Sequence, residues 1–470
     1  MRNAHQSWRF GSALILLGIA ACWLGVWNGT DVTAGESELE RNAKYYPNAY
    51  YPGTEVLGDD EMRVTALGTG MPLLRRAQAA SSWLVELGNG EKFLFDVGTG
   101  SQGNFSTLQI PYRAVDKVFL SHLHTDHAGD LPELWIGGWL MGRFDRPLHV
   151  WGPSGARSEL GTKHFVDGHV SVYQWDVMSR HGKLPAAGAE MIVHEFDHAT
   201  RTVIYEQDGV RISSFPAYHI MEGPVSFRLD WNELSFVFSG DTTPTQWFLD
   251  NARNADLVIH ETFISVDQLM QRYGWDQKTA TRVGTVVHSS PAAAGKVFSH
   301  VKPRMAVGYH FYNDFDTVRE IEDEVRSTYD GPLTLAADMM VFNVTKDDIR
   351  VRMATAEDNV WPEMLPQDEF GKAPRLQNVR PSSAMVRTGP GSSESVIRPE
   401  ALEILSAGGV LRAGLSLPSF QLMTEAGYAS GDNNAFDRES HSFRFDQNYH
   451  VGTLLFRHAA RTSTAVSASN

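Results

Sequence analysis

Short apolar runs recur along residues 61–353, and most of them end in glycine, aspartate or histidine. Apolar runs bounded by such turn-forming residues are typical of strands. The pattern predicts strands at residues 63–67, 82–87, 92–97, 117–120 and 148–151, and in a second half at 202–206, 210–215, 225–230, 234–239, 257–259 and 305–308. Two further runs, 333–338 and 340–344, are predicted to close the second sheet.

Helical spacing of apolar positions appears between these strands. It predicts helices at residues 132–141, 245–251, 266–273, 290–301 and 316–329. Two strand-rich halves that each alternate with helices predict an α/β fold, an αββα sandwich in which two mixed β-sheets are faced by helices.

An apolar run at residues 12–27 follows Arg2 and Arg9. Basic residues ahead of such a run are typical of an export signal or a short membrane anchor. Ile19-Ala20-Ala21-Cys22 within it is similar to a bacterial lipoprotein cleavage box, and Cys22 is the one cysteine of the chain. We therefore expect residues 1–27 to direct a bacterial protein to the periplasm, the medium or the membrane, with cleavage, anchoring and lipidation left open.

The remaining boundaries follow composition. Residues 28–60 are predicted to form an extended linker, residues 61–353 the catalytic domain, and the Pro-, Ser- and Gly-rich residues 354–400 a mobile linker. The tail, residues 401–470, resembles a fragment of an outer-membrane β-barrel, with too few strands to close one. We expect it to be β-rich or disordered and assign it no function.

Within that tail, alternation predicts a strand at residues 410–417, and glycines predict turns at 425–437. Further strand-like runs lie at 443–446 and 449–456.

The charge of the chain disfavours a polyanionic partner. The formal net charge is -15, and residues 155–200 carry four basic against six acidic side chains. Because an acidic surface repels nucleic acid, we expect a small-molecule substrate and no nucleic-acid partner.

Candidate chemistry is concentrated in the segment SHLHTDH, directly after the predicted strand at 117–120. It places three imidazoles and one carboxylate within six residues, as His122, His124, Asp126 and His127. Neutral imidazole nitrogen and carboxylate oxygen are ligands that zinc prefers. The segment therefore predicts a metal site at the end of a strand.

This His-x-His-x-Asp-His pattern is similar to that of the metallo-β-lactamase superfamily. Other segments resemble the superfamily's ribonuclease Z and arylsulfatase branch, namely Gly-Thr-Gly-Met-Pro from Gly68, Asp-Val-Gly-Thr-Gly from Asp96, His-Glu-Thr-Phe from His260 and His-Ser-Ser from His288. The resemblance covers roughly residues 60–350 and implies a metal site at one edge of the sandwich.

The resemblance also implies a set of seven ligands for two metal ions, each later ligand following an apolar run. The first ion would be bound by His122, His124 and His219, and the second by Asp126, His127 and His310, with Asp241 bridging the two. Two Zn²⁺ ions are expected, although the same ligands accept Mn²⁺ or Fe²⁺. Such a pair can share a hydroxide that serves as the nucleophile.

Two of the candidate residues are expected to act in catalysis. Asp126 would orient the attacking hydroxide, and His288 would protonate the leaving group because an imidazole pKa lies near working pH. The alternative for His288 is a hydrogen-bonded residue behind the ligands or at the surface. We interpret His260 as structural, Asp96 as orienting a ligand loop and His149 as a core residue.

The sequence therefore predicts an exported binuclear zinc hydrolase of a small ester, either a sulfate ester or a phosphodiester. Hydrolysis of a specialised metabolite by carbonyl or lactone chemistry and a non-catalytic metal-binding role are the alternatives. A redox di-iron role is disfavoured because that group has an acidic residue where this chain has His124. A homodimer is the expectation that the family suggests.

Overall fold

The computed structural model describes residues 48–73, 75–181, 184–356 and 359–360, together with the backbone of strands at 403–404, 408–417, 420–429 and 439–440. The predicted leader at 1–27, most of the predicted linker at 354–400 and the strand-like runs at 443–446 and 449–456 lie outside these residues. In the part of the chain that is described, no helix is long and apolar enough to span a membrane.

Sixteen strands build two mixed sheets. In chain order they are β1 (Asn48–Tyr50), β2 (Met62–Gly68), β3 (Ser82–Leu87), β4 (Lys92–Phe95), β5 (Lys117–Phe119), β6 (Leu148–Pro153), β7 (Met191–Phe196), β8 (Thr202–Gln207), β9 (Val210–Pro216), β10 (Val225–Trp231), β11 (Leu234–Phe238), β12 (Leu257–Glu261), β13 (Met305–Tyr309), β14 (Leu333–Leu335), β15 (Met340–Val344) and β16 (Ile349–Ala354).

The first sheet has nine strands in the order β1-β16-β15-β2-β3-β4-β5-β6-β7, and its strands from β4 to β7 run parallel. The second sheet has seven strands in the order β14-β13-β12-β11-β10-β9-β8, and its strands from β11 to β14 run parallel. Each sheet thus has a parallel region whose strands end at one edge.

Within the described residues, ten α-helices connect these strands. They are α1 (Ser101–Ser106), α2 (Thr125–Ala128), α3 (Gly138–Leu140), α4 (Thr162–Val172), α5 (Gln174–Arg180), α6 (Gln246–Asn251), α7 (Val266–Tyr273), α8 (Gln277–Arg282), α9 (Pro291–Val301) and α10 (Phe315–Arg326). Single-turn π-helices precede α3 at Glu133–Gly137 and follow α8 at Val283–Val287. The hydroxyls of Thr245, Ser265 and Ser290 accept hydrogen bonds from the first turns of α6, α7 and α9, which fixes where these helices begin.

Three apolar clusters separate the layers. The cluster between the sheets contains stacked and tilted rings from both, including Phe95 and Phe119 of the first sheet and Phe227 and Phe236 of the second. A second cluster joins the second sheet to α6, α7, α9 and α10, and a third joins the first sheet to α1 and the segment around Trp135. The layers therefore follow the order helix, sheet, sheet, helix, which confirms the predicted αββα sandwich.

The predicted strands are all present, with small shifts at their ends. The run 340–344 was predicted to close the second sheet, and this was wrong, because it forms β15 between β2 and β16 of the first sheet. Met339 adopts a left-handed φ of 68° and its N–H donates to the Ala66 carbonyl of β2 at 2.7 Å, so the chain leaves the second sheet there. The strand predicted at 92–97 ends at Phe95 because Asp96 adopts a left-handed φ of 57° and leaves the ladder. The helix predicted at 132–141 begins as the π-helix Glu133–Gly137 and continues as α3. Sequence analysis did not predict β7 or β16, which lie at or next to a sheet edge and have mixed burial.

In the flanking regions the structure refines one prediction and contradicts part of another. Asn48–Tyr50, assigned to the linker at 28–60, forms β1 beside β16, and Tyr50 is buried under the guanidinium groups of Arg63 and Arg352. In the tail, the strand Gly408–Leu417 pairs antiparallel with a second strand, Phe420–Ala429. This second strand includes residues 425–429, which were predicted to form turns. The ladder of ten residue pairs provides hydrogen-bond partners for the backbone of these residues, although Gly427 has a low preference for strands.

We expect Phe95→Ala to lower the free energy of unfolding by about 3–5 kcal/mol, because it removes a fully buried ring that contacts four other rings. Denaturant unfolding followed by circular dichroism measures the change. The matched control is Phe315→Ala, whose ring is 77% exposed and whose loss should change stability by less than about 0.5 kcal/mol. Equal effects of the two substitutions would contradict the assignment of Phe95 to the central core.

Candidate metal centre

The parallel strands of both sheets deliver polar side chains to a common site. In the second sheet, β12 ends at Glu261, while Asp241 follows β11 and His310 follows β13. In the first sheet, β5 leads through Ser121 into the His-x-His-x-Asp-His segment, whose last residues form α2. Side chains far apart in sequence therefore meet where these strands end.

Backbone contacts hold the two halves of the site against each other. The Val225 N–H donates to the Ser121 carbonyl at 3.0 Å, and the His310 N–H donates to the Thr69 carbonyl at 3.0 Å. Gly240 has a φ of +58°, and a Cβ there would lie 2.6 Å from Cβ of Ser121. Only glycine accommodates both the left-handed backbone and this close approach.

The first group of donor atoms comprises His122, His124, His219 and Asp241, whose ligand atoms all lie within 4.8 Å of one another. His122 Nε2 is 3.0 Å from His124 Nδ1. Asp241 Oδ2 lies 3.8 Å from His219 Nε2 and 4.0 Å from His122 Nε2. The three imidazoles and the carboxylate thus surround one small volume.

The second group comprises Asp126, His127, Asp241 and His310. His310 Nε2 lies 3.2 Å from Asp126 Oδ2 and 3.3 Å from Asp241 Oδ2, and His127 Nε2 lies 3.1 Å from Asp241 Oδ1. Asp241 belongs to both groups. The structure therefore brings together all seven side chains predicted as ligands, while their role in binding metal stays a prediction.

The second group has the charge and the open donor atoms that a cation would satisfy. His127 Nε2 and Asp241 Oδ1 are buried and lie 3.1 Å from each other, and neither atom has another hydrogen-bond partner among the described residues. Burial lowers the pKa of His310, but Asp241 and the hydrogen bond to Asp126 outweigh it and raise this pKa to about 10. Burial raises the pKa of Asp241, yet His310 and His127 hold it well below its usual range. The buried carboxylates of Asp126 and Asp241 therefore stabilise a positive charge between them and the histidines. A divalent metal ion fits this set of donor atoms.

The first group favours neutral imidazoles. Burial, together with the neighbouring His127, holds the pKa of His122 well below its usual range. Burial and the nearby His219 likewise lower the pKa of His124. Since a neutral imidazole is the form that binds metal, both rings are in the state that a ligand requires.

Asp96 lies behind the predicted ligands and contacts one of them, His127. Its Oδ2 accepts from the Ser121 hydroxyl at 2.8 Å and is 2.6 Å from His127 Nδ1, while its Oδ1 accepts from the Ser121 N–H at 2.7 Å. This contact on Nδ1 directs Nε2 of His127 toward Asp241. The position agrees with the interpretation of Asp96 as an orienting residue.

Glu261 is the residue that sequence analysis missed. Its fully buried carboxylate is hydrogen-bonded to His288 Nδ1 and accepts from the Thr242 N–H at 2.8 Å. Glu261, His288, Asp241 and His310 also form a third close group of donor atoms. The available signal was a carboxylate at the end of an apolar strand in the His-Glu-Thr-Phe segment, although nothing local indicated its partner.

His288 lies next to the predicted ligands. Its Nδ1 is 3.9 Å from Asp241 Oδ2, and its ring stacks on Phe263 at 4.1 Å between centroids.

His260 and His149, which sequence analysis interpreted as structural and core residues, lie outside the three groups of donor atoms. His260 packs between the rings of Phe248 and Phe298. His149 is half-buried and hydrogen-bonds His194 on the outermost strand β7, so its assignment to the core was wrong.

Comparison with known proteins gives three kinds of match. The protein-family profile described as "Anti-Pycsar protein Apyc1" matches residues 62–270. Ribonuclease Z of Mycobacterium sp. strain KMS is 32% identical over 203 residues, which cover 42% of this chain and 68% of that protein. Ribonuclease Z of Mycobacterium marinum is 30% identical over 205 residues, covering 42% and 70%.

Among solved structures, the short form of human tRNase Z aligns with a TM-score of 0.45 and 21% identity, covering 59% of this chain and 98% of that one. Zinc-bound PqqB from Methylobacterium extorquens aligns with a TM-score of 0.44 and 14% identity, covering 60% and 100%.

We expect Asp96→Asn to weaken metal binding about 10–100-fold, because an amide no longer fixes the tautomer and orientation of the His127 ring. Competition with a chromogenic chelator, using Zn²⁺ and the full chain, measures the affinity. Asp116→Asn is the matched control, since Asp116 pairs with Lys117 at the opposite end of β5. Unchanged affinity in Asp96→Asn would show that Asp96 does not orient a ligand.

Proposed function

The chain belongs to the ribonuclease Z-like branch of the metallo-β-lactamase-fold hydrolases, and from this premise we propose that it hydrolyses a phosphodiester with two bound divalent metal ions. As a member of this branch it is a metal-dependent hydrolase. The observation that carries the proposal is Asp241, whose carboxylate lies in both groups of donor atoms.

In this proposal, the seven residues named above hold the two ions. When bound, such a pair supplies Lewis acidity, which allows water to act as a nucleophile near neutral pH and offsets charge on a phosphate. Zinc is the proposed metal because histidine donors dominate the set.

The residues of the chain itself are proposed to position water and substrate. His310 Nε2 lies 3.2 Å from Asp126 Oδ2 and fixes this carboxylate, which would accept a hydrogen bond from the attacking water. The water oxygen forms the new bond to phosphorus as the bond to the leaving oxygen breaks. The net products are a phosphomonoester and an alcohol.

His288 is proposed to donate a proton to that leaving oxygen. Its Nδ1 is engaged by the buried Glu261 carboxylate, which fixes the orientation of the ring. We therefore assign Nε2 as the atom that transfers the proton. Phe263, stacked on the ring, restricts its rotation.

A small phosphodiester is the substrate we favour over RNA. The supporting observations are the net charge of -15 and the excess of acidic residues at 155–200, since polyanions bind to basic surfaces. RNA is the second candidate, because the relatives at 30–32% identity are named ribonuclease Z. The pattern of residues 1–27 supports an activity outside the cytoplasm.

We expect the zinc-loaded full chain to hydrolyse bis(4-nitrophenyl) phosphate faster than 4-nitrophenyl sulfate or 4-nitrophenyl acetate. Asp241→Asn should lower kcat/KM on the diester by at least about 100-fold, since both donor groups lose a charged ligand. Release of 4-nitrophenolate measures all three reactions. The control Asp116→Asn should keep the wild-type rate.

Preference for the sulfate or the acetate would contradict the phosphodiester proposal. Faster cleavage of an unstructured oligoribonucleotide than of the small diester would instead favour RNA. Full activity in Asp241→Asn would show that the donor groups around Asp241 are not the catalytic site.

For His288→Gln we expect kcat to fall, and we expect the fall to be larger for leaving groups of higher pKa. Nitrophenolate leaves without help, so its release should fall only a few-fold, whereas release of unsubstituted phenolate should fall about 10²–10⁴-fold. A series of substituted aryl diesters measures the slope of log kcat against leaving-group pKa. His300→Gln, at the exposed end of α9, is the control and should keep the wild-type slope. An unchanged slope in His288→Gln would contradict its role as proton donor.

A further inference from the structure

Exposed apolar side chains cluster beside two residues of the site. Tyr218, Ile220 and Met221 flank His219, and Val286 lies two positions before His288. These four residues, here called the mouth patch, are between 52% and 64% exposed. Scattered apolar residues on a surface are ordinary, but a contiguous patch beside a polar site is typical of a ligand-binding surface.

The backbone that presents the mouth patch is fixed. The Tyr218 N–H donates to the Thr242 hydroxyl at 3.0 Å, and the Tyr218 carbonyl accepts from the Thr243 N–H at 2.8 Å. The Ala217 N–H closes the loop onto the Pro224 carbonyl at 3.1 Å. Because Thr242 directly follows Asp241, the loop and the shared carboxylate are held in one unit.

The two sides of the patch are joined through the site. His219 Nδ1 hydrogen-bonds the Val287 carbonyl at 2.9 Å, which links the loop to the π-helix Val283–Val287. Short π-helical turns are frequent at functional sites. Tyr218, Ile220 and Met221 on one segment and Val286 on the other therefore flank the two residues that this hydrogen bond joins.

The charge of this loop argues against a polyanion at the patch. Residues 217–224 contain no lysine or arginine and one acidic residue, Glu222. A nucleic-acid backbone would be held by basic side chains, whereas an uncharged flat group gains affinity by covering apolar surface. Metal ions held by the neighbouring donor groups would supply the positive charge that a single phosphate needs.

We propose that the mouth patch binds a flat, apolar organic group attached to the reacting phosphate, so that the substrate is a small diester bearing an aromatic group. This inference rests on the proposed function, because it names the class of diester that the centre receives. The patch acts on specificity and takes no part in bond breaking.

The test compares two diesters that share one leaving group. Bis(4-nitrophenyl) phosphate carries a second aromatic ring, and methyl 4-nitrophenyl phosphate carries a methyl group instead. We expect the double variant Ile220→Ser/Met221→Ser to lower the ratio of their kcat/KM values by about tenfold or more. Differences in intrinsic reactivity cancel, because the ratio in the variant is compared with the ratio in the wild type.

Ile192→Ser is the matched control. Ile192 is an exposed isoleucine on β7, the outermost strand of the first sheet, and contributes nothing to the centre. Its ratio should equal that of the wild type. An unchanged ratio in Ile220→Ser/Met221→Ser, with thermal unfolding showing a folded protein, would overturn the inference.

Binding of unreactive compounds separates this inference from the proposed function. Calorimetric titration of the zinc-loaded full chain with phenylphosphonate and with methylphosphonate needs no turnover. Tighter binding of the phenyl compound, lost in Ile220→Ser/Met221→Ser, would support the patch even if neither diester were hydrolysed. Equal affinities for the two phosphonates in the wild type would overturn it even if the diesters were hydrolysed.

Discussion

The Asp241 carboxylate is the interaction on which the rest of the site depends. It is almost completely buried, and it lies within 3.1–4.0 Å of nitrogen atoms of His122, His127, His219 and His310. A buried carboxylate is costly unless positive charge and hydrogen bonds surround it. The fold meets this cost by directing histidines from both sheets onto one acidic residue, and a divalent ion is the partner that this geometry fits.

The two-sheet architecture explains how those histidines are positioned. Parallel strands end at one edge of each sheet, and the aromatic cluster around Phe95 packs the sheets face to face. Gly240 then lets the strand-end loops of the two halves touch at Ser121. The predicted ligands directly follow the ends of these strands, and His219 lies in the same loop as Tyr218, Ile220 and Met221, so the proposed chemistry and the proposed specificity share one set of strand-end segments.

Sequence patterns predicted the sandwich, its strands and four of the donors, because strand periodicity and the His-x-His-x-Asp-His segment are local signals. The other three donors, His219, Asp241 and His310, were predicted from the resemblance to the superfamily, and the structure brings them to the same place. The pairing of Glu261 with His288 was not predictable, since the two residues are 27 positions apart and meet only after β12 and α9 pack. The exposure of Ile220 and Val286 beside the site was not predictable either. It depends on tertiary contacts between distant segments, which the periodicity of apolar residues does not reveal.

Asp241 is proposed to join two metal ions. Anomalous difference maps from crystals of the zinc-loaded full chain, recorded on both sides of the zinc absorption edge, test this role most directly. We predict two peaks about 3.5–4 Å apart, one among His122, His124 and His219 and the other among Asp126, His127 and His310, with Asp241 between them. A single peak, or peaks away from Asp241, would contradict it.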